Sequence, residues 1–136
     1  MNKLFILLFI FSFSCVSFSK EFISQKVEGE ILNQLVNSLE TRAWNNGHDQ
    51  IESELEFFTL ERFDKFLSEE HRFMEDQLLE SEIFNIISCM NEESCSVYKI
   101  NISTEYYSGY GFDYHFVFIN RFDGTYTKNK YAGYNE

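Results

Sequence analysis

Hydrophobic positions along this chain fall into three rhythms. Residues 4–13 are apolar almost without break, residues 24–82 carry apolar positions three and four apart, and beyond position 82 apolar and polar residues alternate. The first run is too short to span a bilayer core and has the layout of a secretory signal. Lys3 supplies a positive charge ahead of it, and Ser17-Phe18-Ser19 places small residues where a signal peptidase reads. Cleavage after Ser19 leaves residues 20–136 as a single domain, exported to the periplasm or secreted. A cut at Cys15 would give a lipoprotein, the one route to membrane attachment. Ser12 stands where a lipobox wants a branched aliphatic residue, which disfavours that cut.

Helical spacing predicts a first helix over residues 24–46. Val27, Ile31, Leu35, Leu39 and Ala43 recur every fourth position, with Leu32 and Val36 widening the stripe. Ser24 is an N-cap, and Asn45-Asn46-Gly47 is a stop. Trp44, the only tryptophan, falls beside the stripe and reads as a core or lid aromatic. Asp49 and Glu52 have capping-box spacing, so a short second helix is expected with Ile51, Leu55 and Phe58 on one face. An amphipathic stretch over 59–80 comes next, broken near Ser68-Glu69-Glu70, where a serine precedes acids suited to a helix start.

The period-two region predicts four strands. Residues 83–89 form the first and 96–107 the second, with Tyr98, Ile100, Ile102, Thr104 and Tyr106 on one face. Ser108-Gly109-Tyr110-Gly111 reads as a turn, and Phe112, Tyr114, Phe116 and Phe118 alternate along the third strand. Asp123-Gly124 signals a hairpin into a fourth strand over 126–134. Short turns between consecutive strands imply an antiparallel meander. Helices leading into such a sheet give an α+β fold in which the helices cover an aromatic face. Val117 and Ile119 make the third strand apolar on its second face, which points to a central position or a homodimer contact through the sheet.

Charge sharpens this picture. The net charge is −11, and it is unevenly spread: residues 20–93 hold 18 carboxylates against 6 Lys and Arg, whereas residues 94–136 hold 4 of each. Twelve of the acids lie within residues 49–82. Such a field repels nucleic acid and would speed encounter with a basic protein partner, although a solvated helical face needs no partner. Cys89 and Cys95, six apart in an exported chain, read as a disulfide that pins a hairpin register. The chain has no proline, so its turns rest on Gly, Asn, Asp and Ser.

The order of elements resembles the cone-shaped fold of nuclear transport factor 2 and ketosteroid isomerase. The resembling stretches are Phe66-Leu67-Ser68-Glu69-Glu70, Ile83-Phe84-Asn85-Ile86-Ile87 and Val97-Tyr98-Lys99-Ile100-Asn101-Ile102. They continue through Asp123-Gly124 to Lys130-Tyr131-Ala132-Gly133-Tyr134. The resemblance implies a cone whose mouth, in catalytic members, carries an Asp or His base. Asp113 and His115 alternate with the residues assigned to the core and are expected to point away from such a pocket. Tyr98, Tyr106, Tyr114, Phe116 and Trp44 are the candidate pocket lining, although the tyrosines read better as large core residues whose hydroxyls reach the rim.

No catalytic residue, metal site or cofactor is expected. His48, His71 and His115 are scattered, and no His-Glu-x-x-His, calcium-loop, Gly-x-Ser-x-Gly or phosphate-cradling pattern occurs. Asn101-Ile102-Ser103 is a glycosylation sequon, relevant only to a eukaryotic source. The sequence therefore points to a non-enzymatic exported domain that binds a protein partner or a small apolar ligand. An acidic inhibitor or immunity protein against a cationic cell-wall enzyme is the alternative. An isomerase or dehydratase is the reading the residues support least.

Overall fold

Ser24 caps the first helix, α1 (Gln25–Asn45), its Oγ accepting the Val27 N–H at 3.2 Å. The computed structural model describes residues 21–48, 50–106 and 109–132; residues 1–19, expected as a signal, Asp49, residues 107–108 of the expected turn, and Tyr134 of the expected fourth strand lie outside the described residues. α1 stops where expected. Gly47 sits at φ 88°, a left-handed conformation that costs glycine little. The buried face of α1 is Glu28, Leu32, Leu35, Leu39 and Ala43, while Val27 is exposed.

Two elements differ in type from the sequence expectation. The segment expected as a short helix after Asp49 is an edge strand, β1 (Ile51–Phe57). Its apolar residues fit both periods, and pairing with the next strand decides the matter: seven consecutive residues of β1 find antiparallel partners there. The segment 83–89, expected as a strand, lies within helix α3 (Glu80–Met90). There the Glu82 carboxylate accepts the Leu79 N–H at 2.9 Å, and Ile83, Ile86, Ile87 and Met90 recur at helical spacing against the core. Between these elements, Thr59 caps α2 (Leu60–Glu69) by accepting the Arg62 N–H at 3.2 Å. The break near residues 68–70 is present. Beyond it the chain enters a 3-10 turn, His71–Phe73, and an irregular run with a bend at residues 75–76 instead of a second helix.

The remaining strands are β2 (Cys95–Tyr106), β3 (Gly109–Asn120) and β4 (Tyr126–Ala132). Gly109 and Gly111, expected in a turn, belong to β3 and pair with Tyr106 and Thr104. Asp123 and Gly124 do form the last hairpin: the Asp123 carboxylate accepts the Thr125 N–H at 2.9 Å, and Gly124 takes φ 75°. The sheet is antiparallel throughout and runs in the order β1-β2-β3-β4. The fold is α+β as expected, with four strands. Residues 51–57 supply the strand that 83–89 do not, and the lasting change from helix to strand falls at Cys95.

Both faces of the sheet are covered. α1 lies on one, burying Leu32, Leu35 and Leu39 with Ile100, Ile102, Val117 and Ile119. α2 and α3 lie on the other, burying Phe63, Phe66 and Ile86 with Phe58, Val97, Tyr114, Phe116 and Tyr131. Phe63, Phe66 and Phe116 are wholly buried, each worth about 1.5–3 kcal/mol of transfer free energy. The second apolar face of β3 is thus occupied by the chain's own helix. This accounts for Val117 and Ile119 by a central position.

Candidate functional site

The candidate pocket residues do not converge. In the β2–β3 register Tyr98 stands opposite Val117, and Tyr114 stands opposite Asn101. Tyr98 therefore packs with the α1 cluster, whereas Tyr114 and Phe116 belong to the α2–α3 cluster. The side chain of Tyr106 lies outside the described residues. Trp44, expected in the core or as a lid, is 55% exposed at the end of α1. It falls one position past Ala43, beyond the edge of the buried stripe. Where the resemblance implies a cone, the aromatic side is packed by side chains: Phe116 contacts Phe58, Phe66 and Tyr131 with ring centroids 5.5–5.7 Å apart.

The tyrosine hydroxyls serve structure. Tyr131 donates to the Glu82 carboxylate, which ties β4 to α3. Burial and then Glu82 push the Tyr131 hydroxyl well above its usual range. Tyr98 is raised to about 12, by burial first and by the neighbouring Glu28 next. His71, in turn, accepts the Leu78 N–H on Nε2 at 2.8 Å. That bond needs a neutral ring, and burial lowers the pKa in the same direction.

Beneath α2, one pairing uses up part of the acidic segment. Lys99, only 6% exposed, reaches Glu70 at 3.1 Å and Glu56 at 3.6 Å, and Arg62 reaches the same two carboxylates at 2.7 Å (Glu56) and 3.6 Å (Glu70). The Lys99 ammonium also lies 4.8 Å from the Tyr114 ring centroid and 5.4 Å from that of Phe66. Two cations balance two anions, so a lysine on a core-facing position of β2 is tolerated. Asp76 is likewise engaged, accepting the Ala132 N–H at 3.0 Å. Other acids, Glu52 and Glu54 on β1 and Glu61, Asp64 and Glu69 on α2, face solvent.

Cys89 and Cys95 are bonded, with Cα atoms 5.2 Å apart. The disulfide joins the end of α3 to the start of β2; it does not close a hairpin between two strands, because residues 83–89 are helical. Asn101 of the sequon sits in β2, half-buried, with its Oδ1 lacking a hydrogen-bond partner.

Two further features escaped the sequence. A groove of ≈ 310 Å³ lies between the loop at Glu92–Ser94 and the start of β4, lined by Cys95, Phe118 and Thr127 among others. A smaller cavity of ≈ 80 Å³ lies under the end of α1, where Arg42, His48, Thr104, Asp113, His115 and Lys130 meet. Asp113 and His115 do face away from the aromatic core, onto the α1 side of the sheet, where His115 is buried and Asp113 stays partly in solvent. Only the β2–β3–β4 register, which sets Lys130 beside His115, reveals this grouping. Among the described residues no group of three or more His, Cys, Asp or Glu could hold a metal ion, and no helix is long and apolar enough to cross a membrane.

Compared with family models, curated proteins and solved structures, the chain matches none.

Proposed function

We propose that this chain is an exported, non-catalytic binding domain that receives an extended, cationic segment of a protein partner along the outer edge of β1. The observation that carries this reading is the position of β1. Among the described residues it pairs with β2 on one side only, and five of its seven residues are exposed, while the chain's own helices cover both faces of the sheet. An extended peptide can add to such an edge through main-chain hydrogen bonds, with alternate side chains setting specificity. Here the alternation is distinctive. Glu52 and Glu54 project to one side, and Leu55 and Phe57, 41% and 54% exposed, project to the other. A partner strand alternating Lys or Arg with apolar residues would satisfy both.

The excess of acids on β1 and α2 would raise the association rate with a basic protein more than the final affinity. An inhibitor of a cationic cell-wall enzyme is the specific form of this reading. The Cys89–Cys95 disulfide is compatible with an oxidising compartment, and the pattern of residues 1–19 supports export.

The test is kinetic. Immobilised basic extracellular proteins, with acidic ones as controls, should capture the domain with an association rate that falls steeply between low and physiological salt. The double variant Glu52→Lys, Glu54→Lys should lower that rate at least about tenfold. Capture that is indifferent to both salt and charge reversal would overturn the proposal.

A further inference from the structure

In an acidic chain, three cations gather at one place. Arg42 comes from the last turn of α1, and Lys128 and Lys130 are alternate residues on the same face of β4. They lie close enough to act on one another: burial first, then Arg42 and Lys130, lowers the Lys128 pKa. Lys130 is 3.7 Å from Asp113, both partly in solvent; Arg42 and Lys128 make no ion pair among the described residues. Nor is Arg42 needed to cap α1. The carbonyls of Arg42, Ala43 and Trp44 already accept backbone N–H groups from Asn46, Gly47 and His48.

Against this cluster lies His115. It is 4% exposed, lines the ≈ 80 Å³ cavity, and has a buried Nδ1 with no hydrogen-bond partner. An unsatisfied buried polar atom beside a polar cavity calls for a ligand or water. The cavity exceeds one water's share of liquid volume, about 30 Å³. Its charged lining is Arg42 and Lys130 against the single carboxylate Asp113, with His48 and Thr104 as further polar groups and Lys128 alongside.

We infer that this cavity is a binding site for one small tetrahedral oxyanion, phosphate or sulfate, held by Arg42, Lys130 and His115. The ligand is the free ion or the same group at the end of a larger molecule. This site lies on the α1 face and is independent of the β1 edge. An anion would relieve the mutual repulsion of the cations and accept a hydrogen bond from the imidazole. It would also favour the imidazolium. Binding of sulfate, whose charge is constant over this range, should therefore tighten as pH falls from 7 to 5.

The experiment is calorimetric titration of the full domain with sodium sulfate, against sodium chloride at matched ionic strength. Saturable one-to-one binding is expected for sulfate and none for chloride. Arg42→Gln with Lys130→Gln should weaken sulfate at least about tenfold, whereas Lys26→Gln, an exposed cation elsewhere on α1, should not. His115→Gln should abolish the tightening at low pH. A parallel titration with a phosphomonoester separates the two sources: tighter binding than inorganic phosphate assigns the end of a larger molecule, and equal binding assigns the free ion. No difference between sulfate and chloride, or equal loss in the Lys26 variant, would overturn the inference.

Discussion

His115 shows how a single side chain can register the composition of its surroundings. Burial is the main reason its pKa falls to about 4, and Lys128, Lys130 and Arg42 reinforce it. Unfolded, the same ring titrates near 6.5. Between these values the unfolded chain binds a proton that the folded chain refuses. Stability contributed by His115 is thus complete above about pH 6.5 and is lost as pH falls towards 4. The expected loss between pH 7 and pH 5 is about 2 kcal/mol. Urea unfolding of the wild type and of His115→Gln at both pH values measures it, since other acid-sensitive groups, His71 among them, are common to both proteins. Parallel decreases in the two proteins would contradict the assignment. Lys99 is surrounded differently: in the core its ammonium meets the carboxylates of Glu56 and Glu70.

At the scale of elements, the disulfide is a joint between unlike structures. It closes a loop of six residues' separation between α3 and β2, and a loop so short constrains the unfolded chain by about 2 kcal/mol. Cys89→Ser with Cys95→Ser should lower unfolding free energy by about that amount while leaving one cooperative transition. Loss of cooperativity would show that the joint sets the register of the sheet as well. Joints of this kind also mark what was legible in the sequence. α1, its Ser24 cap and its Gly47 stop were readable because each rests on local backbone chemistry, as was the Asp123-Gly124 hairpin. β1 was not, because Ile51, Leu55 and Phe58 satisfy a helical period while Ile51, Ser53, Leu55 and Phe57 satisfy a strand, and only distant residues of β2 choose between them. α3 was misread for the converse reason: its run of isoleucine and phenylalanine favours a strand locally, yet Ile83, Ile86 and Met90 find a core at helical spacing.

For the whole molecule, the consequence of two cores is that the sheet has no free face. The expected tyrosine-lined pocket dissolved because Tyr114 pairs with Asn101, three residues along β2 from Tyr98, and an odd offset sends the two rings to opposite sides of the sheet. The cationic cavity, conversely, draws on α1, β2, β3 and β4, so no local pattern announces it. What the sheet itself leaves for the proposed partner is its perimeter, and there β1 combines an edge unpaired among the described residues, exposed acids and exposed apolar residues. Hydrogen exchange, with and without a basic protein whose capture is salt-sensitive, tests that claim most directly. The amides of Ile51–Phe57 should exchange faster than those of β2 and β3 in the free domain and should slow markedly in the complex. Unchanged exchange along β1, with new protection confined to other segments, would contradict it.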